Sequence, residues 1–331
     1  MTKLALHRCF LLVAVPALAS AAESISGPVA GYVVDSSPAQ LRAILGVPGA
    51  FGFSDPLSLP AGITRVRLAP GQDFALVECG TGAPGILFLK DGAVDRLAPI
   101  DGALTSADWV AFSPSAGSAI LFSASANRLQ VLSGLPDAPR VTIDLDAAML
   151  PEQPRLGAVS DDGSLLLVAS EVAVYRVPRE GAAQVVLSAG AILSLAVLRN
   201  GTDVAVADPT TGSVQLVRNA ASAPVARVLA SGLDGIGEIF PAWDGQSLFV
   251  ALPGAGAVAS IDLVSGEVES LSSSVTPVGL IPLRNHDTFL ISAKPRQPGW
   301  VFYRDGAAGR VVFIPAAESA AREIPTKGRT R

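Results

Sequence analysis

The residues able to do chemistry in this sequence are mostly carboxylates. Asp161-Asp162 in SDDGS and Asp144 with Asp146 in DLDAAM are close pairs of hard oxygen donors, the type that Ca²⁺ takes. Neither pair carries the spacing of a complete calcium loop, and Asp is also a common turn residue. Asp108 in SADW, Glu238 in GIGEIF and Arg65 in ITRVR each stand near the start of a repeated unit. Brought to one place, the three would form an ion-binding or acid–base set.

Histidine chemistry is thinly supplied. The chain has two, His7 and His286. His7 falls in the leader described below, so three-histidine metal sites and His-pair motifs are out of reach. A serine–histidine hydrolase would have to use His286 in LRNHD, and no G-x-S-x-G accompanies it. GTGAPG, residues 80 to 85, spells G-x-G-x-x-G, but a dinucleotide site needs that motif to open a helix. Here Pro84 and the strand-like ILFLK follow, so a turn is expected. Trp109, Trp243 and Trp300 each fall in an expected strand, where core packing is the expectation rather than stacking on a ligand. Asn200-Gly201-Thr202 fits a glycosylation sequon and is also simply a turn.

The elements that must position these residues begin after a leader. Lys3, His7 and Arg8 form a basic start, Cys9 to Leu18 a short apolar run, and Ala19-Ser20-Ala21 a small-residue cleavage site. That pattern is a secretory signal peptide over residues 1–22, too short for a membrane span. Its removal takes away Lys3 and Arg8, so the formal charge of −5 becomes −7. A mildly acidic chain is a poor partner for nucleic acid or an anionic membrane surface. It also leaves Cys79 as the one cysteine, so no internal disulfide is expected and a packed core must supply the stability.

Charged residues make up 16% of the chain, against roughly 25% in an ordinary domain. Half of the residues are hydrophobic, yet only 5% are aromatic, with 32 Gly and 25 Pro. Aliphatic segments joined by many turns predict an all-β fold. Residues 181 to 198, GAAQVVLSAGAILSLAVL, are uncharged and long enough to pass for a membrane helix. Gly190 and its small neighbours divide them into two strand-length pieces. An outer-membrane barrel would show aromatic girdles and strict alternation, and neither is present.

One template recurs: an apolar strand, a tight polar turn, then a second apolar strand. It reads RLAPGQDFALVE, AFSPSAGSAILFSA, AVSDDGSLLLVAS, VLRNGTDVAVAD, PAWDGQSLFVAL and PLRNHDTFLISA. The turns centre on Gly71, Gly117, Gly163, Gly201, Gly245 and His286, spaced 46, 46, 38, 44 and 41 residues apart. Gly there is expected to supply a positive φ. A second hairpin follows in most units, so each unit predicts four short strands, the signature of a β-propeller blade. Runs such as LLLVA suit strands covered on both faces, as blades sandwiched between neighbours are. Six units span Ile63 to Ala316. The preceding segment is about one blade long, with GYVVD and QLRAILG resembling an outer hairpin. Seven blades over residues 23–317 are therefore expected, with six plus an N-terminal hairpin as the alternative. Residues 318–331 form a polar tail.

VASIDLVSGEV, residues 258 to 268, resembles the strand–turn–strand of YVTN-type propeller repeats, and VAVADPTTGSVQLV, residues 204 to 217, is similar to these and to NHL-type repeats. The Tyr-Val-Thr-Asn itself is absent, with Ala205-Val206-Ala207-Asp208 in its place. The resemblance implies a secreted or surface propeller of bacterial type and no single activity.

The leading expectation is a secreted or periplasmic, monomeric binding or interaction module, non-enzymatic, for an unidentified protein or small ligand. A lactonase-like or other hydrolytic propeller with a metal or carboxylates in its central channel is the alternative. Asp108, Glu238 and Arg65 are the channel candidates in either case. No cofactor is assigned, and Ca²⁺ at the Asp pairs is the one ion considered.

Overall fold

The computed structural model describes residues 27–36, 39–80, 82–277, 279–292, 297–306 and 308–316. The expected signal peptide and polar tail lie outside the described residues. Seven antiparallel sheets follow one another along the chain. The first has three strands: β1 (Val29–Ser36), β2 (Ala39–Leu45) and β3 (Gly52–Phe53). The other six have four strands each, paired in chain order. Blade 2 holds β4 (Ile63–Leu68), β5 (Phe74–Cys79), β6 (Gly85–Lys90) and β7 (Ala93–Pro99). Blade 3 holds β8 (Trp109–Phe112), β9 (Ser118–Ser123), β10 (Arg128–Ser133) and β11 (Arg140–Asp146). Blade 4 holds β12 (Leu156–Val159), β13 (Leu166–Ala169), β14 (Ala173–Arg176) and β15 (Gln184–Ser188). Blade 5 holds β16 (Ser194–Val197), β17 (Val204–Asp208), β18 (Ser213–Arg218) and β19 (Val225–Ala230). Blade 6 holds β20 (Ile239–Pro241), β21 (Ser247–Leu252), β22 (Ala257–Asp262) and β23 (Val268–Ser272). Blade 7 holds β24 (Ile281–Pro282), β25 (Thr288–Ser292), β26 (Gly299–Asp305) and β27 (Ala308–Ile314).

The uncharged run 181–198 is thus β15, a loop and β16. No helix among the described residues is long and apolar enough to cross a membrane.

The apolar runs explain the ring. Along β17, Val204 and Val206 pack toward blade 4, while Ala205 and Ala207 pack toward blade 6. Alternate side chains leave opposite faces of a strand, so a run of apolar residues needs cover on both. Each junction between neighbouring blades holds its own core cluster, seven in all. The seventh joins Ala30, Ile44 and Phe51 of blade 1 to Leu283, Leu290, Val301 and Ile314 of blade 7. That contact closes the circle: the chain forms a seven-bladed β-propeller.

Blade 1 departs from the expected outer hairpin. β1 is the inner strand, because both faces of its hairpin are covered: Tyr32 and Leu41 toward blade 2, Ala30 and Ile44 toward blade 7. Its free edge is closed by a side chain. Gln72, 0% exposed, receives the Tyr32 N–H at 2.6 Å and donates to Tyr32 O at 3.1 Å and Pro282 O at 2.8 Å. One amide therefore ties blades 7, 1 and 2 together. Gly31 is required beside it, since a Cβ there would lie 2.6 Å from Gln72 Oε1.

The turn between first and second strands also differs from expectation in detail. Gly163, Gly201 and Gly245 take the positive φ. In blades 2, 3 and 7 that conformation falls on Gln72 (φ 53°), Ala116 (φ 63°) and Asp287 (φ 52°) rather than on Gly71, Gly117 or His286. At Gln72 the left-handed cost is offset by three hydrogen bonds that glycine could not make.

Candidate functional site

In blades 2 to 7 the first strand ends in a tight turn and is entered by the connection from the preceding blade. The turns lie on one face of the ring and the connections on the other. The expected channel residues all belong to the connection face. Arg65 donates to Ala107 O at 2.8 Å and meets Glu78 at 3.4 Å. Asp108 accepts the Ala124 N–H at 2.6 Å. Glu238 accepts the Leu280 N–H at 2.8 Å, and a Cβ on Gly279 would lie 2.7 Å from its carboxylate. Arg65 thus reaches the residue next to Asp108, while Glu238 sits on blade 6 and fastens blade 7. No ion pair or hydrogen bond joins Glu238 to either of the others among the described residues.

The same face contains a carboxylate that was not singled out from sequence. Asp208, 1% exposed, accepts N–H groups from Gly190, Ala191 and Thr210. Burial pushes its carboxyl up, and these backbone donors outweigh burial and hold it below the usual carboxylate range. Glu78 accepts the Ala107 N–H at 3.1 Å. Both act as fasteners.

The paired aspartates considered for Ca²⁺ are similarly engaged. Asp162 accepts from the Ser160 hydroxyl at 2.6 Å and Ser164 N–H at 2.9 Å, and Asp161 accepts the Ser115 N–H at 2.8 Å. Asp144 pairs with Arg128 Nε at 2.9 Å, and Asp146 caps the short 3-10 turn Ala147–Met149. Among the described residues, no three His, Cys, Asp or Glu side chains stand close enough to hold a metal ion together.

The turn face differs. A cavity of about 300 Å³ is lined by turns of five blades, with Pro70, Pro114, Arg199, Trp243, Arg284 and His286 among its walls. Five of these six share one register. The turns close by a hydrogen bond from the fourth residue to the first: Gln72 to Ala69, Ala116 to Ser113, Gly163 to Ser160, Gly201 to Leu198, Gly245 to Ala242. Pro70, Pro114, Arg199 and Trp243 are each the second residue of such a turn, and Arg284 follows Leu283 in the same way. In blade 4 the position is Asp161. In blades 2, 3, 5, 6 and 7 this second turn residue is the one offered to the cavity.

Three of the lining side chains form a stack. The Trp243 ring lies 3.5 Å from that of His286, only 12° from parallel. The Arg199 guanidinium lies 4.0 Å above the other face of the indole. Trp243 is 49% exposed and sits in the turn after β20, which corrects the expectation of a core tryptophan in a strand. The reason is register: β20 ends two residues before it, at Pro241. Trp109 and Trp300 do lie in strands and pack against Phe122 and Phe313. Asp287 secures the stack by accepting the Trp243 N–H at 2.7 Å, and Arg199 Nε donates to Ala242 O at 3.1 Å. Burial draws the Arg199 pKa down, against the pull of Asp161, Asp287 and Asp244. Arg199 forms no ion pair among the described residues, and its Nη1 and Nη2 donate to no protein atom there.

Two larger hollows, about 710 Å³ each, are open grooves at blade edges. In the one between blades 6 and 7, the basic group Arg304 is already held by Asp244 at 2.7 Å and Ser260 at 3.0 Å. Among the described residues, the axial mouth alone combines five converging blades with a cation lacking a carboxylate partner.

Comparison with known proteins agrees with the fold and goes no further. A functionally unknown protein from Desulfotomaculum acetoxidans DSM 771 is similar over 87% of this chain and 100% of its own, with a TM-score of 0.58 and 14% identity. The nidogen/laminin complex is matched over 76% of this chain and 96% of its own, with a TM-score of 0.47 and 12% identity. No family model and no curated protein matches the sequence. Structural likeness extends to 1183 chains, so the architecture is too widely shared to select an activity.

Proposed function

We propose that this propeller is a secreted or periplasmic, non-enzymatic binding module whose ligand seats in the axial mouth of the turn face. One observation carries the reading: second turn residues from five blades converge on a single cavity of about 300 Å³ and, among the described residues, leave Arg199 without a carboxylate partner. A rigid ring that presents variable turns is a ready scaffold for recognition. The leader-like N-terminus and the YVTN- and NHL-like stretches support export. The hydrolytic alternative draws no comparable support, because Asp108, Glu238 and Asp208 accept backbone N–H groups of hairpin turns or neighbouring connections.

The test is equilibrium dialysis of the protein and its Trp243→Ala variant against a small-molecule extract of the producing cells, read by mass spectrometry. Selective enrichment of compounds by the parent protein, lost in the variant, is expected. Equal enrichment by both would remove the axial mouth as the site. Turnover of lactones or esters, abolished by EDTA and restored by Ca²⁺, Mg²⁺, Mn²⁺ or Zn²⁺, would instead establish the hydrolytic alternative.

A further inference from the structure

The chemistry of the mouth is set by which of its charged groups already have partners. Two guanidinium groups, two carboxylates and one imidazole line it. Asp73 holds Arg284 at 2.6 Å. Asp287 accepts the Trp243 N–H and faces Arg304 at 3.7 Å. Arg199 is left with its Nη1 and Nη2 donors open, and no protein acceptor meets Trp243 Nε1 among the described residues. The open charged group is therefore a donor, a guanidinium whose planar fork matches a carboxylate in bidentate fashion. Partial burial sharpens that preference, since a cation in a less polar setting interacts more strongly with an anion. Much of the remaining wall is made of rings, those of Pro70, Pro114, Pro241, Phe240 and Phe289, with Ser115, Asn285 and Thr288 between them. Its volume lies at the lower end of ligand cavities, so the occupant is small.

We propose that the axial mouth takes a small planar carboxylic acid, with its carboxylate on the Nη edge of Arg199 and its flat part against the proline and phenylalanine rings of the wall. This rests on the reading of the mouth as the binding site. A bare phosphate would satisfy the fork but leave the apolar rings uncovered. An amine would meet Asp73 and Asp287 only by displacing partners they already have.

Shape-matched probes of different charge separate the two levels of the argument. Benzoate, benzamide and benzylamine are titrated into the ¹⁵N-labelled protein, and the Trp243 indole N–H resonance, assigned by its loss in Trp243→Phe, is followed. Benzoate is expected to move it at a concentration at least tenfold lower than the other two. Arg199→Gln is expected to abolish that advantage. Arg199→Lys, which keeps the charge without the fork, is expected to weaken benzoate at least threefold and serves if Arg199→Gln fails to fold. If all three probes act alike, or benzoate is indifferent to both substitutions, the carboxylate assignment falls while the mouth remains a binding site. If no probe moves the resonance, the assignment and the site both fall.

Discussion

The two faces of the ring use the same polar residue types to opposite ends. On the connection face Glu78, Asp108, Asp208 and Glu238 each accept backbone N–H groups of a loop, so their charge is consumed in fastening the chain. On the turn face the cation Arg199 is stacked and oriented but, among the described residues, left without a carboxylate. Buried or confined polar groups are ordinarily satisfied within the protein. A group held in place yet open to a roomy cavity points to something outside the chain; Arg67 Nε also lacks a partner among the described residues, but the hollow beside it holds only about 20 Å³.

The turn face is not uniform, and the largest effect is expected where it does structural work. Gln72→Ala would remove three hydrogen bonds and leave Tyr32 N–H, Tyr32 O and Pro282 O without partners at the closing seam. Each such loss costs about 1–3 kcal/mol, so destabilisation on the order of 3 kcal/mol is expected in chemical unfolding. A loss under about 1 kcal/mol would show that the seam is held by the Ala30, Ile44 and Ile314 cluster alone and that Gln72 only fills space.

On the connection face, Asp208→Asn is expected to cost about 1–2 kcal/mol at neutral pH, because the negative acceptor of three N–H groups is lost. The pH dependence distinguishes this from a packing defect. The folded pKa of Asp208 lies below its unfolded value, so its contribution is present above the unfolded value and lost as pH falls through the folded one. The stability gap between parent and variant is therefore expected to be constant from about pH 7 to 5 and to close below about pH 4. A gap that does not narrow at all as pH falls below the unfolded value would assign the effect to packing.

Glu238→Ala and Asp108→Ala should cost about 1 kcal/mol each, the value of one hydrogen bond to a backbone N–H at an exposed site. They sharpen the comparison through what they leave alone: titration of the axial mouth is expected to be unchanged. Loss of binding in either variant would return the channel residues read from sequence to the centre of function and erase the distinction between faces.

Much of the fold could be read from the chain, because blades are local. Each strand pair lies within one unit, its turn is marked by Gly163, Gly201 or Gly245, and its runs of Val, Leu and Ala announce cover on both faces. The seam was not readable, since Gln72 in PGQD looks like any polar turn residue and its partners lie 40 and 210 residues away. The candidates read from sequence, Arg65, Asp108 and Glu238, fall at the starts of first strands, whereas the mouth proposed here lies at their ends. One signal was present: aligning LRNG, AWDG and LRNH places Arg199, Trp243 and Arg284 in a single column. Composition could not say that this column faces the axis, because that follows from how the turn emerges from each blade.

The smallest expected effect is the most diagnostic. Arg199→Gln removes one hydrogen bond to Ala242 O and a cation–π contact, together worth about 1–2 kcal/mol. It also removes a partly buried charge that has no carboxylate partner, and desolvating such a charge is unfavourable. The two contributions oppose each other, so the net change in stability is expected to stay within about 0.5 kcal/mol of zero by chemical unfolding. A group kept for the fold should be missed when it is removed, as Gln72 and Asp208 should be. A group kept for a ligand can be removed at little cost, because sites are often less stable than the scaffold around them. A loss of 2 kcal/mol or more at Arg199 would make it another fastener and leave both faces of the ring doing the same work.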